Sequence, residues 1–298
     1  MQTRRTAGLL VLSALLAGVM LAGVTVDGGA GATQAAAAPF GQVTSVGRAS
    51  AAVPAVTLPP VNGQFDYQIG GVYTPAESVA IVSRDREAAA AAGKYNICYI
   101  NAFQTQPGEA SFWKKKHKNL LLKNSKGKYV TDPDWPGEYI LDTATAAKRK
   151  SIATLVGRWM SGCKAAGFQA IEPDNLDSWT RSGKKLTQSK NLALAKLLAT
   201  KAHSLGLAIA QKNTADIGTK GKKSVGFDFA IAEECQVYKE CGAYTGPYGD
   251  NVIEIEYTDN KRSAYTAACA AQGTSISVIL RDRDVVPSSK SAYRYEYC

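Results

Sequence analysis

Short apolar runs recur along the chain, and each ends in polar or charged residues before the next amphipathic segment begins. Nine such runs lie at 64–69, 79–82, 96–101, 138–142, 167–171, 207–213, 227–234, 252–257 and 275–280. Continuous apolar strands that alternate with helices are typical of a parallel sheet covered on both faces. In a chain of this length they predict an α/β fold, a single-domain (β/α)8 TIM barrel. An open doubly wound sheet is the alternative, but no Gly-x-Gly-x-x-Gly follows the first strand.

Helical spacing and capping residues predict the helices between these strands. An alanine-rich segment at 87–92 precedes Gly93, which suits the residue just after a helix C-terminus. Thr143 can cap a helix whose apolar positions 152, 155, 156 and 159 lie on one face. Thr187 can cap another helix that closes at Gly206, and a further helix is predicted at 263–271.

The N-terminal region differs in composition from the rest of the chain. Arg4 and Arg5 precede an almost uninterrupted apolar run from Ala7 to Val26, and small residues lie before Pro39. This pattern predicts a secretory signal peptide at 1–38 and a secreted, extracellular protein, with an uncleaved membrane anchor as the alternative. Residues 39–60 have the composition of a flexible linker. We expect residues 61–298 to form one domain that does not contact the membrane once the signal is cleaved.

Six cysteines follow the predicted signal peptide, and an even number in an exported chain favours disulfides. The expected pairs are Cys235–Cys241, Cys269–Cys298 and Cys98–Cys163. The first pair is close enough in sequence to clip one loop, the second would tie the C-terminus to the last helix, and the third remains by elimination. No Cys-x-x-Cys pair indicates a zinc site.

Acidic residues recur at or near the C-terminal ends of the predicted strands. They are Asp66, Asp85, Asp142, Glu172, Asp174, Glu233, Glu234, Glu256 and Asp259. In a barrel these ends converge on one face, the face that carries catalysis. A single acid at a strand end is usually a helix cap, but its recurrence at most strand ends predicts an acidic mouth. The densest group is Glu172-Pro173-Asp174-Asn175-Leu176-Asp177, a crowding that suits an active site as well as a polar turn.

Paired carboxylates at such a mouth fit glycoside hydrolysis, in which one acts as the acid and the other as nucleophile or as base toward water. Their separation decides between retention and inversion, so both courses stay open at this point. Aromatic side chains near the strand ends could stack on sugar rings; they are Tyr67, Tyr99, Trp179, Tyr238 and Tyr257. The only histidines, His117 and His203, form no metal or triad motif. A divalent-cation site made of carboxylates is the alternative chemistry.

The formal net charge of +10 raises polyanion binding as a competing function. The lysines at 114–128 and 184–223 lie among Gly, Ser and Asn without interleaved aromatic residues, which favours a solvated surface over a nucleic-acid site. We therefore expect no nucleic-acid partner. In an exported protein such a surface could attach to anionic cell-wall polymers. A non-catalytic carbohydrate-binding or wall-associated barrel is the alternative to an enzyme.

Six motifs follow one another from about residue 61 to the C-terminus. They are Phe65-Asp66-Tyr67-Gln68-Ile69-Gly70-Gly71, Tyr99-Ile100-Asn101, Ile171-Glu172-Pro173-Asp174-Asn175, Ala210-Gln211-Lys212-Asn213, Glu233-Glu234-Cys235 with Cys241, and Glu256-Tyr257. In this order they resemble glycoside hydrolase family 114, the endo-α-1,4-polygalactosaminidases and related barrel proteins. The ordered series is far more specific than any one motif.

The resemblance implies a (β/α)8 barrel that cleaves polysaccharide rich in α-1,4-linked galactosamine without a metal or organic cofactor. It places the catalytic aspartate at Asp174 and the catalytic glutamate at Glu233, with Glu234 as the alternative because neighbours in a strand point to opposite faces. The residues implied in substrate binding are Asp66, Tyr67, Tyr99, Glu172, Asn175, Lys212, Glu234, Glu256 and Tyr257. Carboxylates would bind an ammonium sugar more strongly than a neutral glycan. We expect a monomeric hydrolase whose partner is amino-sugar polysaccharide.

Overall fold

The computed structural model describes residues 55–298. The predicted signal peptide at 1–38 and the predicted linker up to residue 54 lie outside the described residues. Within 55–298, no helix combines the length and the apolar character needed to cross a bilayer.

Eight parallel strands follow one another around a barrel in chain order, and a ninth strand runs antiparallel to the eighth. The strands are β1 (Phe65–Tyr67), β2 (Ile81–Asp85), β3 (Tyr95–Asn101), β4 (Ala170–Asp174), β5 (Ala208–Lys212), β6 (Phe229–Glu233), β7 (Val252–Tyr257), β8 (Ser277–Arg281) and β9 (Tyr295–Tyr297). Where the two ends of the sheet meet, Ser277 Oγ donates to the Gly63 carbonyl at 2.7 Å, and the Tyr295 hydroxyl donates to the Phe65 carbonyl at 2.9 Å. The barrel is nearly closed, and the predicted TIM-barrel class is confirmed.

Helices cover the outside of the barrel only from β3 onward in the described chain. They are α1 (Ala110–Lys116), α2 (Ala146–Ala165), α3 (Gln188–Ser204), α4 (Gly242–Tyr248) and α5 (Arg262–Gln272). The helices predicted after Thr187 and near 263–271 are confirmed as α3 and α5. The start of α2 is two residues later than predicted, because Thr145 rather than Thr143 accepts the capping bond, from Lys148 N at 3.2 Å.

The helix predicted at 87–92 is wrong, and this segment forms turns instead. Side chains take up the backbone groups that a helix would have paired. Arg84 Nη1 donates to the Ala89 carbonyl at 2.8 Å, while the Asn96 side-chain amide accepts from Ala91 N at 2.6 Å and donates to the Ala91 carbonyl at 2.9 Å. These tertiary partners outweigh the helix propensity of the alanines.

The apolar run at 138–142 was predicted as a barrel strand, and this prediction is also wrong. It belongs to the β3–α2 segment, residues 102–145, which folds back on itself above the barrel. Antiparallel bridges join Gln104 to Ile140 and Leu121 to Leu141. The run therefore satisfies its backbone groups within its own segment, which forms one wall of the barrel mouth.

Side chains alternate strictly between the interior and the outer layer of the barrel, as β7 shows. Ile253, Ile255 and Tyr257 pack inside with residues of the other strands. Glu254 points outward toward α5, and Glu256 points outward toward the loop after β6. This alternation, which a strand imposes with a period of two, decides which acids reach the mouth.

Three disulfides join the described cysteines in the expected pairs. Cys98–Cys163 connects β3 to α2, Cys235–Cys241 closes the loop after β6, and Cys269–Cys298 ties α5 to the C-terminal residue.

Candidate active site

The C-terminal ends of β4, β5 and β6 bring two carboxylates together around one ammonium group. Lys212 Nζ lies 3.7 Å from Oδ1 of Asp174 and 3.5 Å from Oε2 of Glu233. The separation of these two carboxylate oxygens therefore cannot exceed the sum of their distances from Lys212 Nζ. This limit is compatible with the carboxyl separations of glycosidases, about 5–5.5 Å for retention and about 6.5–9.5 Å for inversion.

Buried side chains beneath Lys212 contact its ammonium group and are linked to one another by hydrogen bonds. Its ammonium lies 2.7 Å from Oε1 of Glu172 and donates to the Tyr67 hydroxyl at 2.8 Å, while Ser83 Oγ donates to Oε2 of Glu172 at 2.6 Å. Burial alone would lower the pKa of Lys212, but the surrounding carboxylates Asp174, Glu172 and Glu233 outweigh it and hold that pKa well above its ordinary value. The amine is therefore a fixed cation beneath the pair.

Tyrosine hydroxyls from two other strands orient the carboxylates. Tyr99 on β3 donates to Oδ2 of Asp174 at 2.8 Å, and Tyr257 on β7 donates to Oε1 of Glu233. Asn213 Nδ2 also donates to Oε2 of Glu233 at 2.7 Å. Burial, reinforced by the neighbouring carboxylates, raises the pKa of both tyrosines well above its usual value, so both hydroxyls remain donors.

The two adjacent glutamates at the end of β6 have separate environments. Glu233 faces Asp174 and Lys212, whereas Glu234 forms a bidentate pair with Arg283 at 2.6 and 2.9 Å. The backbone turns at Glu234, whose φ of 61° is left-handed, and this turn directs the two side chains apart. Although partial burial opposes it, the Arg283 guanidinium holds the pKa of Glu234 below its ordinary value. Of the two glutamates, Glu233 is the one that contacts Lys212.

A cleft of about 540 Å³ crosses the mouth above the pair. Eight carboxylates line it, namely Asp132, Asp134, Glu138, Asp174, Asp177, Glu233, Glu234 and Asp284. Three basic side chains line it as well, namely Arg181, Lys212 and Arg283. The cleft is acidic although the whole chain carries a formal charge of +10.

A family model for glycoside hydrolase family GH114 matches residues 46–298, most of the chain. The chain belongs to this family. It is accordingly a glycoside hydrolase with a TIM-barrel fold.

Two solved structures illustrate the similarity in fold. Ega3 from Aspergillus fumigatus, in complex with galactosamine, superposes with a TM-score of 0.64 at 22% identity, covering 82% of this chain and 98% of that chain. The glycoside hydrolase domain of PelA from Pseudomonas aeruginosa superposes with a TM-score of 0.51 at 12% identity, covering 76% of this chain and 97% of that chain. A comparison with curated protein sequences finds no match.

The structure brings most of the expected site residues of this GH114 chain to the cleft. Those that line it are Tyr67, Tyr99, Asp174, Asn175, Lys212, Glu233, Glu234 and Tyr257. Glu172 is fully buried and contacts two residues that line the cleft, Lys212 and Tyr67. Of the other aromatic candidates, Trp179 packs against the core and Tyr238 is exposed outside the cleft.

Asp66 and Glu256 were expected at the site, and the structure places both elsewhere. Asp66 accepts from Gln68 Nε2 at 2.8 Å and from the Tyr73 hydroxyl at 2.5 Å, behind the cleft wall. Glu256 lies on the outer face of β7, where its Oε1 accepts from Gln236 N at 3.0 Å. Both residues have the wrong strand phase: their neighbours Tyr67 and Tyr257 point inward instead.

Sequence reasoning missed the cleft wall supplied by the β3–α2 segment. That wall contributes Gln106, Asp132, Asp134, Trp135 and Glu138. The signal was present in Asp132-Pro133-Asp134-Trp135-Pro136-Gly137, which concentrates acids and an aromatic residue in a turn. The sequence did not reveal this wall because the run at 138–142 has the composition of a barrel strand that ends at Asp142.

One group among residues 55–298 has the spacing of a metal site, and it consists of Cys235, Cys241 and Glu254. Its two sulfurs are joined in a disulfide, so neither is a thiolate that could bind a metal ion.

Proposed function

We propose that this hydrolase cleaves α-1,4-linked galactosamine-rich polysaccharide internally, with Asp174 and Glu233 as its catalytic carboxyl groups. The observation that carries the proposal is that both carboxylates flank Lys212 Nζ, within 3.7 Å, on the floor of the acidic cleft. Their side chains are 19% and 23% exposed, so a bound sugar can reach both.

The charge of the cleft supports an amino sugar as substrate. De-acetylated galactosamine carries an ammonium group near neutral pH, and desolvated carboxylates bind such a cation strongly. Eight lining carboxylates against three basic side chains favour a cationic polymer over a neutral or anionic one. Ega3, which shares the fold, was solved with galactosamine.

The proposed reaction needs one proton donor and one carboxylate. One group of the pair protonates the glycosidic oxygen as the bond from the anomeric carbon breaks, and the other attacks that carbon or deprotonates the attacking water. NMR spectra recorded during hydrolysis show which anomer forms first. That anomer distinguishes attack by the carboxylate from attack by the activated water. Azide rescue of an alanine variant at Asp174 or Glu233 identifies which group faces the anomeric carbon.

Matched amide variants test the assignment. Asp174→Asn and Glu233→Gln should fold normally and abolish release of reducing ends from galactosamine oligomers. Glu234→Gln removes the neighbouring charge and should keep measurable turnover, because Glu234 is engaged by Arg283 rather than facing Asp174. Near wild-type turnover in either of the first two variants would refute the role of that residue. Polymer binding without any product from the wild type would instead support a non-catalytic carbohydrate-binding barrel.

We further propose that the protein acts outside the cell after loss of residues 1–38. The three disulfides support an oxidising compartment.

All seven lysines between positions 114 and 128 are exposed and could hold the protein to anionic wall polymers. N-terminal sequencing of protein recovered from the medium tests the cleavage. Release of wall-bound protein by salt tests the attachment, and retention in high salt would count against an electrostatic attachment.

A further inference from the structure

The turn at 132–138 is fixed firmly against the loop that follows β4. Oδ1 of Asp132 accepts from the backbone N–H groups of Asp134 at 2.9 Å and Trp135 at 3.3 Å, and Glu138 N donates to the Trp135 carbonyl at 3.2 Å. Oδ2 of the same aspartate lies 2.8 Å from Arg181 Nε. These contacts therefore hold the backbone that carries Trp135 and Glu138 in place before a ligand binds.

Glu138 presents one free carboxylate oxygen to the cleft. Its Oε2 accepts from Asn101 Nδ2 at 3.0 Å and from Gln104 Nε2 at 2.9 Å, whereas its Oε1 accepts no hydrogen bond from residues 55–298. Only 8% of the residue is exposed, and it lines the cleft. Asn101 also accepts from Asn175 at 3.0 Å, so Glu138 is connected through one amide to the residue after Asp174.

The basic side chains of the cleft are already engaged by other acids. Arg283 pairs with Glu234 and Asp259, and Arg181 pairs with Asp132 and Asp177. Neither guanidinium contacts Glu138 in the described chain. A buried carboxylate with no cation beside it gains most from a ligand that brings a positive charge.

Trp135 supplies an apolar surface in the same cleft as this carboxylate. It belongs to the same wall of the cleft, and 49% of it is exposed. An aromatic face and a free carboxylate in one cleft are the combination that a sugar ring with an ammonium substituent requires.

We propose that Glu138 binds the C2 ammonium group of a galactosamine residue beside the cleaved bond, so that the β3–α2 side of the cleft selects de-acetylated sugar. This inference rests on the proposed function of the site. An N-acetyl group at the same position would present a bulkier, neutral amide and would lose the charge-assisted hydrogen bond. Glu138 is thus a specificity-determining residue contributed by a segment outside the barrel strands.

The test compares Glu138→Gln with the wild type on fully de-acetylated and fully N-acetylated galactosamine oligomers of equal length. Glutamine keeps an oxygen that can accept from Asn101 and Gln104. We expect kcat/KM on the de-acetylated oligomer to fall by about tenfold or more, and kcat/KM on the acetylated oligomer to change by about twofold or less. Glu77→Gln is the matched control, because it makes the same substitution at an exposed position that does not line this cleft. Its ratio of the two constants should stay close to that of the wild type.

Products from a partly acetylated polymer give a second measurement. Mass spectrometry should show a de-acetylated residue at one fixed position from each cut by the wild type, and Glu138→Gln should lose that preference. Glu138→Asp, which keeps the charge, should retain more selectivity than Glu138→Gln and covers the case in which the glutamine variant does not fold. Equal ratios for the wild type and both folded variants would overturn the proposal. Failure of the wild type to cut any galactosamine oligomer would instead refute the proposed function itself.

Discussion

Nζ of Lys212 lies 2.7 Å from Oε1 of Glu172, and neither side chain is more than 1% exposed. This buried pair supports the site from beneath, since the same ammonium also contacts Asp174 and Glu233 at its upper side. One lysine on β5 thereby fixes the positions of carboxylates that come from β4 and β6. Removing one partner of a buried ion pair costs more than the pair contributes, because a buried charge is left uncompensated.

Lys212→Met should therefore lower both stability and activity. We expect the free energy of unfolding to fall by about 3–5 kcal/mol, since the variant leaves Glu172 buried without its cation. Urea unfolding checks this value. The double variant with Glu172→Gln should lose less than the sum of the two single changes, because the second substitution removes the stranded charge. Additive losses would show that the two side chains act independently.

Tyr257→Phe should reduce turnover without unfolding the protein. The substitution removes the hydroxyl that donates to Glu233 and leaves the buried ring in place. One lost hydrogen bond to a charged group predicts a fall in kcat of about tenfold with a smaller change in KM. Tyr295→Phe is the matched control, since its hydroxyl donates to the Phe65 carbonyl at the closure of the barrel. Equal effects of the two variants on kcat would argue against an orienting role for Tyr257.

The barrel could be predicted because its strands are continuous apolar runs with acids at their ends. The parts that could not be predicted depend on contacts distant in sequence. Arg84 and Asn96 prevent a helix at 87–92 by bonding its backbone groups, and no local pattern encodes that contact. The run at 138–142 has the composition of a strand, but it pairs within its own segment.

The site shows the same division between local and distant information. The motifs pointed to Asp174 and Glu233, and both side chains line the cleft. Asp66 and Glu256 lie outside it, because a shift of one residue reverses the face that a side chain occupies. Glu138 was not among the expected residues, because it reaches the cleft only through the folding of the β3–α2 segment. The different environments of Glu233 and Glu234 could not be predicted, because Arg283, which pairs with Glu234, is distant in the sequence.

The preference for de-acetylated sugar should depend on pH through Glu138. Burial raises the pKa of Glu138 to about 6, with Asp174 and Asp132 adding to the rise while Gln104 and Asn101 oppose it. Arg181, which donates to Gln104 and Asn175, is paired with Asp132. Because only the ionised carboxylate attracts an ammonium group strongly, the preference should be small below about pH 6 and should increase above it.

Ratios of kcat/KM for de-acetylated and acetylated oligomers, measured at about pH 5 and about pH 7, check this dependence. The wild-type ratio should rise with pH. The ratio for Glu138→Gln should stay nearly flat, since the amide does not titrate. A rise of the same size in the variant would assign the pH dependence to another group.

Because of Glu254 and Glu256, we expect a second effect of pH, on the free energy of unfolding. Both are buried on the outer face of β7, and Oε2 of Glu256 has no hydrogen-bond partner among the described residues. Burial, together with the charge of Glu256, raises the pKa of Glu254 from its ordinary value of 4.5 to about 8. Between these two values the folded protein binds more protons than the unfolded chain. The free energy of unfolding should therefore decrease as pH rises through this window, by at most about 1.4 kcal/mol per pH unit.

Glu254→Gln removes this titration and keeps a polar group that can pair with Gln272. The wild type should lose stability between about pH 5 and about pH 8, and the variant should lose less, so that their unfolding free energies differ most at the alkaline end. Urea unfolding at several pH values measures both slopes. Glu77→Gln is the control, because it removes an exposed carboxyl group from the β1–β2 connection and should leave the wild-type slope. A Glu254→Gln variant with that same slope would mean that Glu254 is already ionised in the folded protein near neutral pH, with Gln272 and the backbone stabilising its charge.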